Sequence, residues 1–114
     1  METLIKNMAH AEVLTLAEAV TAAPGQIVSK TLAQNDHHSL TLFAFDKGEE
    51  ISSHASEGDA MVLALEGEGR ITIDGKDHTL RQGQSIIMPA GIPHAVFATE
   101  PFKMFLIVIF SENR

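Results

Sequence analysis

Gly83-Gln84-Ser85-Ile86-Ile87-Met88-Pro89-Ala90-Gly91-Ile92-Pro93-His94 is the stretch whose reading decides the fold. Ser85 to Met88 reads as a short strand, stopped by a Pro-Ala-Gly turn signal, and a second strand is expected from Ala95 to Ala98, just past His94. Working outward, strand signals recur over Gln26–Gln34, Leu40–Phe45, Ala60–Glu66, Arg70–Asp74, His78–Leu80 and Phe102–Phe110. Asp74-Gly75 between two of them supplies the positive φ angles of a type I′ hairpin. Glycines mark most other corners. Many short strands at this spacing predict an all-β barrel or sandwich. Before them, residues 1–25 mix helix formers with β-branched residues and end at Pro24-Gly25, which predicts a short N-terminal arm followed by one domain over 26–114.

Composition narrows the function classes. A chain of 114 residues with 45% hydrophobic and 20% charged residues is long enough for one packed core. A net charge of -7 speaks against nucleic acid as a partner, since such binding relies on Lys and Arg at phosphates. With no Cys, disulfides and thiolate ligands are excluded, so any metal is held by His, carboxylate or water. The longest apolar run, Met104 to Phe110, is too short to cross a bilayer as a helix, so no membrane partner is expected. The N-terminus does not read as a signal peptide, which makes the cytoplasm the default location.

A second stretch, Gly48-Glu49-Glu50-Ile51-Ser52-Ser53-His54-Ala55-Ser56-Glu57-Gly58-Asp59-Ala60, runs into an apolar strand closed by Gly67. Gly48, His54 and Gly67 are in register with the first cupin motif, and Gly83, Pro89, Gly91 and His94 with the second. The chain therefore resembles the small single-domain cupins over roughly residues 40 to 110. That resemblance implies a jelly-roll β-barrel and, at its mouth, a divalent transition metal (Mn, Fe, Ni or Zn) held by His54 and His94. In the family a second His and a Glu complete the set. Here Ser56 occupies the former position and Ala60, or Met61 under a longer spacing, the latter. The family's Asn beyond the second-motif His is Ala98.

The residues themselves allow more than one reading. Side chains alternate along a strand, so positions 54 and 56 share a face, but a Ser hydroxyl is a weak ligand for a transition metal. Asp59 could serve as a ligand or as a general base only if the turn shifts by one residue. Ser56, Asp59, Met61 and Met88 are the expected lining of a ligand pocket, adaptable and largely apolar. His37 and His38 follow the turn signal Asn35-Asp36 and read as a loop end, while His78 and His10 read as surface residues. The plain alternative for His54 and His94 is a pair of imidazoles bonded to backbone. Two functions stay open: a metal-dependent centre for a small molecule, and a metal-free small-molecule binding module. Apolar residues on both faces of Phe102–Phe110 call for a cover on each side, for which a second subunit, as a homodimer, is the expected source, although packing between the two sheets of one sandwich explains the pattern as well.

Overall fold

The computed structural model describes residues 2–112. Among the described residues, nine antiparallel strands form two facing sheets: β1 (Ile27–Gln34), β2 (His38–Phe45), β3 (Glu50–His54), β4 (Gly58–Glu66), β5 (Glu68–Ile73), β6 (Lys76–Arg81), β7 (Ser85–Met88), β8 (His94–Ala98) and β9 (Phe102–Phe110). The first sheet has the order β1-β2-β9-β4-β7 and the second β3-β8-β5-β6. Consecutive strands repeatedly cross between sheets, which is the jelly-roll pattern. The eight strands expected from sequence are present. The ninth, β3, lies inside the first motif and is mostly polar on its exposed side.

Local chemistry explains the corners. Asp74 (φ 50) and Gly75 (φ 80) both take left-handed backbone between the paired Ile73 and Lys76, as a type I′ hairpin requires. Gly58 is needed for space, because a Cβ there would stand 2.3 Å from the Ile109 carbonyl oxygen on β9. Any larger residue forces the β4–β9 ladder apart at its first pair, Gly58 and Phe110.

Alternation along the strands divides the apolar residues between two clusters. Inward-facing Phe45, Val62, Ile71, Val96, Phe102 and Met104 fill the space between the sheets, and the Phe45 and Phe102 rings lie 5.8 Å apart. The second cluster lies outside the barrel. There Leu32, Leu42 and Ala44 of the first sheet are covered by Val20, with Met8, Leu16 and Phe105 packed against them. The arm carries one 3₁₀ turn, Leu16–Glu18, whose neighbourhood is tied down where Lys103 Nζ donates to the Ala17 carbonyl (2.6 Å) and Lys30 Nζ to that of Ala19 (3.1 Å). The cover expected over β9 is thus supplied in part by the chain itself: the arm lies over Phe105, while Ile109 on the same face is left 58% exposed. Among the described residues, no helix is long and apolar enough to cross a membrane.

Candidate functional site

The two motif histidines meet because β3 and β8 are neighbours and His54 pairs with His94 across them. Their rings are 4.5 Å apart, edge to face. Simple alternation does not predict this. Ile51 packs inward and pairs with Val96, so a regular strand would bring Ser53 opposite His94 and turn His54 outward. A β-bulge between Ile51 and His54 absorbs one extra residue, and the face is restored. Ser52 and Ser53, both exposed, are where that irregularity falls.

The two imidazoles are held alike. Nδ1 of His54 lies 3.0 Å from the Ser52 carbonyl oxygen, and Nδ1 of His94 lies 3.3 Å from that of Ile92. A carbonyl only accepts, so each Nδ1 carries the proton and donates, leaving the Nε2 lone pair of the neutral ring for another partner. His94 is 3% exposed whereas His54 is open to solvent. Burial, and after it the charge on His54, hold the His94 imidazole below the ordinary value of 6.5, against the opposing hydrogen bond to Ile92. His94 therefore favours the neutral, lone-pair-bearing ring at neutral pH.

The other expected site residues are placed differently. Met88 is inward and buried, paired with Ala60 in the barrel core. Asp59 and Met61 alternate with buried Ala60 and Val62, so they face the outside of the first sheet, and the one-residue shift that would have turned Asp59 inward does not occur. Asp59 Oδ1 instead accepts from the Ala90 N–H at 2.8 Å. Ser56 Oγ accepts from Gly58 N–H (3.1 Å), and its carbonyl accepts from Gly91 N–H (2.8 Å). Ser56 and Asp59 thus join the turn after His54 to the loop before His94. Sequence reading found these residues but not this task, since their partners lie 31 and 35 positions on.

The other histidines are placed elsewhere in the fold. His37 N–H and His38 N–H both donate to Asn35 Oδ1, making the turn that the sequence suggests, and His38 then faces outward in register with Ile109. His78 is half-buried opposite Ile71, and His10 lies against the Ile5 carbonyl in the arm. Among the described residues, no three His, Asp or Glu side chains are grouped so as to hold a metal.

A two-sheet jelly roll with one histidine from each of two adjacent strands at its mouth defines a cupin-type barrel. The profile of the cupin domain matches residues 41–110, and the chain belongs to that family. Its fold is similar to that of a conserved protein of unknown function from Streptococcus pyogenes (46% identity, TM-score 0.95, 97% of each chain covered). It is also similar to a cupin superfamily protein from Desulfitobacterium hafniense (34% identity, TM-score 0.90, 94% of this chain and 98% of the other). A curated relative, the dimethylsulfoniopropionate lyase DddW of Ruegeria pomeroyi, is 30% identical over 84 residues, 74% of this chain. The chain matches about half, 48%, of that relative's length.

Proposed function

We propose that the His54–His94 pair is the working centre of a small-molecule-binding cupin and takes a divalent transition metal, Mn, Fe, Ni or Zn, through its two Nε2 atoms. The observation that carries this reading is the matched tethering of both Nδ1 atoms to backbone carbonyls, which is how metal-binding imidazoles are commonly oriented. The donors fit such an ion, since imidazole nitrogen suits the later divalent metals. Two protein ligands leave several coordination positions open. Those positions suit an acidic or carbonyl-bearing small molecule, whose oxygen the ion would polarise. The likeness to an enzyme acting on a propionate derivative is consistent with that ligand class.

Elemental analysis of untagged protein, followed by calorimetric titration with each metal chloride, tests the proposal. Stoichiometric binding that disappears in both His54→Ala and His94→Ala is the expected result. Binding that survives in either variant would sink it. Ser56 and Ala60, at the positions of the family's second His and its Glu, favour a second reading, a metal-free module in which the two imidazoles hydrogen-bond the small molecule directly. That reading predicts no metal at stoichiometry and binding of small carboxylates that is lost with either histidine. Lysis of dimethylsulfoniopropionate by the metal-loaded protein, abolished in His54→Ala, would extend the first reading from binding to catalysis.

A further inference from the structure

The inner face of the first sheet is apolar on β9, β4 and β7, where Leu106, Val108, Ala60, Val62, Ile86 and Met88 meet the core. On β2 it changes character. Phe45 and Phe43 face inward, and counting back in twos brings Thr41 and then Ser39 to the same face. Register agrees, since Thr41 stands beside Leu106 and Ser39 beside Val108. Thr31 of β1, directly opposite Thr41, adds a third hydroxyl to the strip. Thr41 and Ser39 are half-buried and Thr31 is exposed. Elsewhere the hydroxyls of Thr72 and Thr99 donate to Asp77 and Glu68, whereas those of the strip make no such bond among the described residues.

The strip lies at the histidine end of the barrel. Residues 46–49 turn the chain from β2 into β3, so Ser39, near the start of β2, and His54, the last residue of β3, come to the same end. In the second sheet the row of the pair continues from His94 to Ile73 and then to Lys76, an exposed cation at the rim. His94 adds an independent observation. It alternates with buried Val96 and so faces the space between the sheets, only 3% exposed. Its Nδ1 is bonded to Ile92, while its Nε2 has no partner among the described residues. A buried imidazole with a free nitrogen calls for a partner in that space.

We infer that the strip of Ser39, Thr41 and Thr31 selects the ligand of the histidine pair, and that this ligand is a carboxylic acid carrying hydroxyls along its chain. This selectivity rests on the pair being a small-molecule centre and names the class of molecule that the centre takes. A hydroxyl both donates and accepts, so a row of them matches a row of ligand hydroxyls, whereas a bare alkyl chain laid there strips water from the strip and replaces none of its bonds. Positions 39 and 41 lie about 7 Å apart along β2 and Thr31 about 5 Å across from Thr41, roughly the span of a chain of five or six carbons. The carboxylate then falls at the imidazoles, with Lys76 adding positive charge along their row.

Calorimetric titration of the full chain with two acids of equal carbon number, D-gluconate and hexanoate, tests this. Wild-type protein is expected to bind gluconate at least ~10-fold tighter than hexanoate. Thr41→Val, which nearly keeps the shape of the side chain, and Ser39→Ala are each expected to weaken gluconate binding about 5-fold, the worth of one net hydrogen bond, and to leave hexanoate binding unchanged. A merely structural defect lowers both acids together and leaves their ratio where it was. Equal affinity for the two acids, an unaltered ratio in both variants, or binding of neither acid would overturn the inference. Metal content is measured on the same samples, so a protein that holds metal through both histidines and yet fails the comparison of acids sinks the hydroxyl strip alone.

Discussion

His94 is the residue at which fold and site are coupled most tightly, because the barrel that positions it also strips its solvent. In the unfolded chain a histidine titrates near ~6.5, whereas in the native protein burial and then the His54 charge hold His94 lower. As pH falls through 6.5, the unfolded state takes up a proton that the native state still refuses. Stability is therefore full above about 6.5 and is lost on the way down to the native pKa, below which the loss is complete. Thermal melts of metal-free protein are expected to show a lower midpoint at pH 5 than at pH 7.5, with the drop reduced in His94→Gln. An equal drop in wild type and variant would count against this account. His54 and His94 were both legible in the sequence through motif spacing. What Ser56 and Asp59 do was not, since a hydroxyl or carboxylate in a turn looks the same whether it faces a ligand or caps a distant N–H.

At the scale of elements, the instructive strand is β3. Strands with apolar alternation and a clear turn, such as β5 and β6 around Asp74-Gly75, can be read directly, because period and turn chemistry agree. In β3 only Ile51 is apolar and inward, and counting in twos from it would have turned His54 away from His94. The bulge at Ser52-Ser53 corrects the phase, and nothing in two serines announces it. This makes an unusual prediction about a deletion. Removing Ser53 restores regular pairing, with Ile51 opposite Val96, Ser52 opposite Ala95 and His54 still opposite His94. β3 is an edge strand, so the ladder can adjust without disturbing a second neighbour. The deletion variant is expected to keep the histidine pair, read as an unchanged His94 titration by nuclear magnetic resonance. A return of His94 to an ordinary titration, despite an intact fold, would show that the bulge is not what sets the face of His54.

For the whole molecule, the question is whether two apolar clusters on opposite sides of one sheet behave as one folding unit. Sequence patterning located the inner cluster, since alternation defines it strand by strand. The outer one depends on where an irregular arm lies, and no periodicity encodes that. The strands themselves link the two: β2 sends Phe45 inward and Leu42 and Ala44 outward, and β9 sends Phe102 and Met104 inward and Phe105 outward. Neither cluster can open without loosening a strand that builds the other. Leu42→Ala, at a wholly buried position beneath the arm, is expected to cost about 2–5 kcal/mol. If the clusters are one cooperative unit, that cost reaches the far sheet. Hydrogen exchange of the β5 amides, Arg70 to Ile73, is then expected to accelerate as much as that of β1. Acceleration confined to β1 and β2 would mean instead that the arm and outer cluster open locally over a barrel that stays closed, leaving the histidine pair untouched by changes in the arm.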